Sequence, residues 1–304
     1  MGERSVMPGI GLAAAVVAIV TMIAPWGEDE RGTYHGFAEV GGSAFGLVVT
    51  IAALLGVLVA VRGLLDGDDL GNGGRLRRSH LLMAAGAAVA GPALAQALSP
   101  SVDYTSWKAA GIGGWLAAAM GVVMVLVGFV WARTQKPAST TSVSDDIDRV
   151  FGIMLTVCGV ICVLTPFFGW LTLQVSDDVT FVYGALQDGL RGVGLVVMPA
   201  GVLMLIAGLR IIYRFGRPPL VTRGGLGAEH LGLLSSAAGL ATSLALLLSI
   251  TRQDFDETVD PELGLYLYML AALFGLFAGA TALLIPGPHE APDVVVEESP
   301  SVPV

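Results

Sequence analysis

The residues that could do chemistry are few, and the most suggestive lie in one acidic stretch, Asp254-Phe255-Asp256-Glu257-Thr258-Val259-Asp260-Pro261-Glu262. With Asp254 as position one, oxygen-bearing side chains fall at positions three, five, seven and nine, the spacing of a calcium loop. Position six, where such a loop turns on Gly, is Val259, and position twelve, which needs a bidentate Glu, is Leu265. The pattern fails at both discriminating positions. Asp254, Asp256, Glu257 and Asp260 are therefore expected to form a solvated acidic loop, with a weak cation site or a cationic partner as the functional alternative.

His80 and His230 open two apolar stretches at matching places, which raises haem ligation and pH sensing as candidate chemistries. Both are expected at the water interface, so anchoring is the simpler expectation. Cys158 and Cys162, four apart on one helix face, have no further ligands in sequence nearby and read as small apolar fillers. No metal or cofactor is expected. The chain has no Gly-x-Ser-x-Gly, no His-Glu-x-x-His, no Gly-x-x-x-x-Gly-Lys-Ser/Thr and no paired Cys-x-x-Cys, so enzymatic chemistry is not expected either.

A third constellation lies inside the apolar stretches. Pro92 and Pro199 each interrupt a helical span, and Gln96 lies four residues beyond Pro92. With Thr242 and Ser243 they are candidates for lining a cavity opened where helices break. The competing expectation is close packing, because Ser and Thr in membrane helices usually bond their own backbone or a neighbouring helix.

What must position these groups is set by hydropathy. The chain of 304 residues is 54% hydrophobic and 13% charged, with mean hydropathy +0.75, too apolar for an ordinary soluble domain. Eight stretches are long enough to cross a bilayer of about 30 Å as helices: Pro8–Trp26, Ser43–Arg62, His80–Leu98, Ala110–Ala132, Val150–Trp170, Gly192–Tyr213, Leu231–Ile250 and Gly264–Pro286. None alternates with period two, which argues against a β-barrel. The expected fold is an all-α integral membrane protein. No Asp, Glu, Lys, Arg or His lies near the middle of any stretch, which counts against a proton- or sodium-coupled transporter.

Of the 16 Lys and Arg residues, all but Arg31, Lys108, Arg191 and Arg252 fall at the N-terminus or in every second loop. Positive residues stay in the cytoplasm during insertion. Both termini are therefore expected there, with the protein in the plasma membrane. A net charge of −9 gives no basic face for nucleic acid. Trp26, Trp107, Trp131, Trp170 and Tyr213 fall near span ends, as aromatic belts at headgroup depth do. Among the outer loops, Thr180–Arg191 is the best candidate for a short amphipathic helix.

The chain also resembles itself. His80–Ser99 laid over His230–Ser249 gives eight identities in twenty, and Ser43–Arg62 over Arg191–Arg210 gives seven, at offsets of 150 and 148. Composition alone would give roughly three or four. The spacing predicts a parallel 4+4 duplication related by an axis along the membrane normal. Its units are residues 1–132 and 150–286, joined by a cytoplasmic linker at 133–149, with a disordered, acidic, Pro-rich tail at 287–304. On this reading the protein is a scaffold, accessory subunit or assembly factor that meets lipid and other membrane proteins or itself. The alternative is a permease or channel for a small neutral or amphipathic molecule between the repeats.

Overall fold

A computed structural model describes residues 6–29, 32–35, 43–68, 70, 76–98, 109–134, 145–176, 179–187, 190–213, 227–252 and 258–284. Eight helices dominate it: α1 (Val6–Val20), α2 (Ser43–Asp66), α3 (Arg78–Leu98), α4 (Ile112–Thr134), α5 (Asp145–Leu164), α6 (Arg191–Tyr213), α7 (Ala228–Arg252) and α8 (Leu263–Leu284). All eight belong to segments long and apolar enough to cross a membrane. The chain is a multi-pass helical membrane protein.

The distribution of side-chain size supports lipid as the solvent. Large apolar residues point outward, among them Leu54, Leu55 and Leu58 of α2 and Leu273, Phe274 and Phe277 of α8. The buried faces instead use Ala and Gly, which let backbones approach where water supplies no hydrophobic drive between helices. Within the first four helices α1 touches α2 and α4, and α3 touches α2 and α4, closing a ring; α5–α8 close a ring in the same way. The rings meet where α3 packs on α7, flanked by α2 on α7 and α3 on α6. Along the spans 61% of α3 and 67% of α7 is buried, against 39–50% for the other six, so these two helices form the centre.

Each ring carries a small antiparallel sheet at one end. In the first, β1 (Pro25–Asp29) lies between β2 (Gly32–His35) and β3 (Ala109–Ala110); in the second, β4 (Leu171–Ser176) lies between β5 (Val179–Tyr183) and β6 (Thr258–Pro261). Leu171 pairs with Tyr183 on one side and Pro261 on the other. The predicted amphipathic helix at Thr180–Arg191 is thus corrected: its first part is strand and the helix α6 begins only at Arg191. Val179-Thr180-Phe181-Val182-Tyr183 consists wholly of β-branched and aromatic residues, which favour a pleated strand over a helix.

The tryptophan belt is corrected as well. Trp26, Trp131 and Trp170 are buried to 2% exposure or less. α1 and α5 each end in a single 3-10 turn, Thr21–Ile23 and Thr165–Phe167, and the chain then bends back into a strand. That return buries the indole. Trp26 Nε1 donates to the Thr21 carbonyl at 2.9 Å, and Trp170 Nε1 to the Thr165 carbonyl at 2.7 Å. The Trp26 carbonyl accepts the N–H of Gly111, and the Trp170 carbonyl that of Glu262, so each tryptophan ties a strand to the start of the last helix in its ring. Tyr213 is exposed as a belt residue would be, and Trp107 lies outside the described residues.

Candidate functional site

The polar groups that the bundle brings together lie along the α3–α7 seam. Its centre is a close contact. A Cβ added at Gly91 would lie 2.9 Å from the Ala238 carbonyl oxygen and 2.8 Å from Thr242 Oγ1, so only hydrogen fits there. His80 touches His230 and Gly91 approaches Ala238, so the two helices run in the same direction. The sheets follow α3 and α7 at one end, and the histidines sit at the other.

Each cavity-lining candidate has a definite place. Thr242 faces α3 one residue from Pro92, but its hydroxyl donates to the Ala238 carbonyl at 2.8 Å. Ser243 donates to the Gly239 carbonyl at 2.9 Å, and Gly239 lies against Tyr268 of α8. Thr50, Thr156, Ser235 and Thr281 likewise bond the carbonyl four residues back. Pro92 is buried within an unbroken α3, whereas Pro199 lies on an exposed face of an unbroken α6. Gln96, 1% exposed, and Ser236, fully buried, differ from these: Gln96 Oε1 and Ser236 Oγ have no hydrogen-bond partner. Buried polar atoms of this kind are rare and costly.

In the acidic stretch Asp260 belongs to β6 and is exposed, while Asp254, Asp256 and Glu257 lie outside the described residues. Among the described residues, no three of His, Cys, Asp or Glu gather as metal ligands would. Cys158 and Cys162 are buried free thiols. An open depression at the sheet end is lined by Phe181, Val182, Tyr183, Leu186 and Gln187.

The histidines are not where the sequence suggests. Instead of anchoring at the water interface, both are buried to 3% exposure, with ring centroids 4.1 Å apart and planes at 64°. Each also caps its own helix. The backbone N–H of Arg77 donates to His80 Nδ1 at 3.2 Å, and that of Gly227 to His230 Nδ1 at 2.9 Å. The Arg77 carbonyl accepts the N–H groups of His80 and Leu81, which makes Arg77 the cap and His80 its third helical residue. This is the return half of a capping box, with imidazole in the role usual for Glu or Gln. Because Nδ1 accepts, the proton of each neutral ring sits on Nε2. That nitrogen is then a donor rather than a haem or metal ligand. The repeated histidine was visible in the sequence; the ring contact required the docking of two helices 150 positions apart.

Arg77 offers no side-chain oxygen to its helix, and Asp68 supplies one. Its carboxylate accepts the Ser79 N–H at 2.7 Å and the Ser79 hydroxyl at 3.0 Å, while the Arg78 N–H bonds its carbonyl. Nearby, Arg78 pairs with Asp66 at 3.4 Å. Burial pushes the Asp68 carboxyl above its usual range, although the Ser79 hydrogen bonds and then Arg77 and Arg78 oppose that shift. A folded-state value raised above the unfolded one favours the protonated form. The contribution of this group is full below the ordinary carboxylate range and declines as pH rises through the raised value. Asp68→Asn keeps an acceptor oxygen and should flatten this dependence. Asp68→Ala should instead cost about 1 kcal/mol. Thermal unfolding in detergent between about pH 4 and about pH 7 separates the two outcomes.

Compared with protein-family models, with curated proteins and with solved structures, the chain matches none.

Proposed function

We propose that this protein is a non-enzymatic scaffold, accessory subunit or assembly factor of the plasma membrane, with both termini in the cytoplasm. The observation that carries this reading is the seam. The centre of the molecule is filled by backbone against backbone at Gly91 and Ala238, and the hydroxyls of Thr50, Thr156, Ser235, Thr242, Ser243 and Ser249 are turned onto their own helices. The parts left to meet other molecules are the large apolar helix faces and the sheet end. A parallel 4+4 duplication accounts for the order helix, hairpin, helix, helix, strand, helix occurring twice, and for the paired tryptophan and histidine bonds. The uneven distribution of arginine supports a cytoplasmic histidine end. Chemical cross-linking in native membranes, followed by purification of this chain, should recover one or more membrane proteins at fixed stoichiometry. Recovery of the chain alone at every cross-linker concentration would count against the reading.

One observation favours the permease alternative: the unpartnered Gln96 Oε1, with Ser236 Oγ, inside the bundle. Gln96→Leu separates the two. A packing residue would be replaced at a gain, because an unsatisfied buried amide costs about 1–3 kcal/mol. The scaffold reading therefore expects a higher melting temperature and unchanged partner recovery. A lined path expects solute flux into vesicles to fall with expression intact.

A further inference from the structure

We propose that His80 and His230 form a proton-operated latch between the two four-helix rings, closed while both imidazoles are neutral and released when Nδ1 of either ring takes a proton. The inference rests on the geometry of the seam and is independent of the scaffold reading. Each Nδ1 lone pair holds the backbone N–H of the residue that caps a central helix. A proton arriving from water occupies that lone pair, the hydrogen bond breaks, and an N–H is left facing an N–H. The resulting imidazolium lies in the first turn of its helix, at the end that repels cations. The second ring is in contact with it at 4.1 Å, so a second proton would place two cations against each other.

Charged groups of both signs stand at this end of the bundle. Arg62 and Asp66 come from α2, Asp68 and Arg77 from the loop before α3, Arg78 from α3, Arg133 from α4, Asp145, Asp146, Asp148 and Arg149 from the start of α5, Arg210 from α6 and Glu229 from α7, while α1 and α8 carry no charged residue at this end. Asp66 is already paired with Arg62 and Arg78, and Asp68 with Ser79. Glu229, whose carboxylate folds beside Gly227, is the group placed to favour charge on His230. A buried imidazolium whose Nδ1 faces a backbone N–H is relieved by reaching water. Because the rings belong to different four-helix groups, reaching water separates the groups at this end, and the Gly91–Ala238 contact further along acts as the pivot.

The test is a distance. Nitroxide labels at Leu65→Cys and Tyr213→Cys, two exposed positions on the histidine-end termini of α2 and α6, are introduced with Cys158→Ala and Cys162→Ala. The full-length protein is then measured in liposomes at about pH 7.5 and about pH 5, on either side of the usual histidine range. With native histidines, a second population longer by on the order of 5 Å should grow at the lower pH. In His80→Gln with His230→Gln, whose amide oxygens can hold the same N–H groups without titrating, the distance should stay at its neutral value. An unchanged distance with native histidines, or an equal lengthening in the Gln variant, overturns the proposal. Should the Gln variant fail to fold, histidine nitrogen resonances of the native-histidine protein must titrate with the midpoint of the distance change, and a different midpoint overturns it equally.

Discussion

Gly121→Leu should destabilise the protein by about 3 kcal/mol or more, at the upper end of what overpacking does in a close-packed core. At this crossing of α3 and α4 a Cβ on Gly121 would lie 2.5 Å from the Ala90 nitrogen, 2.7 Å from the Gly86 carbonyl oxygen and 2.8 Å from the Ala90 Cα. All three neighbours are backbone, so no rotamer change relieves the clash and the helices must separate. A Cβ on Gly86 would meet the Gly121 carbonyl oxygen at 2.7 Å, so the contact is closed from both sides. Gly9 in α1 is the internal control, because nothing lies within 4 Å of a Cβ built there. Gly9→Ala should be neutral or raise stability by up to about 1 kcal/mol through helix propensity. Denaturation in mixed micelles, followed by helical circular dichroism, would measure both. A Gly121→Leu protein as stable as wild type would mean that α3 and α4 do not cross there.

Trp170→Ala should cost about 3–5 kcal/mol, the range for removing a large aromatic from a packed interior. The indole is fully buried, its Nε1 holds the Thr165 carbonyl, and its ring lies 5.3 Å from that of Tyr268, whose hydroxyl donates to the Val197 carbonyl of α6. Removing it leaves a cavity and an unpaired carbonyl where α5 turns into β4. Trp170→Phe should cost less, because it loses the hydrogen bond and part of the volume but keeps an aromatic body. Trp26→Ala should behave like Trp170→Ala, since it holds the Thr21 carbonyl in the same manner. Melting temperatures in detergent decide the matter. Near-zero effects for all three would return these residues to the headgroup belt.

The helical spans were legible because a bilayer writes its thickness directly into the sequence. The eight stretches read from hydropathy overlap the eight helices. Their ends were less legible. The apolar runs through Trp26 and Trp170 look continuous, yet the helices stop at Val20 and Leu164, because burying an indole against a 3-10 turn satisfies both its N–H and a terminal carbonyl. Strands of two to six residues leave too short a pattern to stand out between such spans, although the β-branched run at Val179–Tyr183 carried the signal. At the candidate site, residue type left Thr242 and Ser243 between lining a cavity and packing, and their hydroxyls bond the Ala238 and Gly239 carbonyls of their own helix. The location of His80 and His230 did not follow from sequence, because it depends on which two of eight helices occupy the centre. The small size of α3 gave a hint: ten of its residues are Ala or Gly, the composition of a helix approached closely by others.

The docking of the two rings through α3 and α7 underlies both the functional reading and the latch, and one cross-link tests it. The Leu76 N–H donates to the Leu283 carbonyl at 3.1 Å, joining the loop before α3 to the end of α8, and both side chains are buried. Leu76→Cys with Leu283→Cys, combined with Cys158→Ala, Cys162→Ala and a protease site inserted in the linker, would be oxidised in membranes and then cut. The account predicts that the two fragments run as one species without reductant and separate with it. Two fragments under both conditions, from protein that was fully cut and fully oxidised, would contradict the docked arrangement.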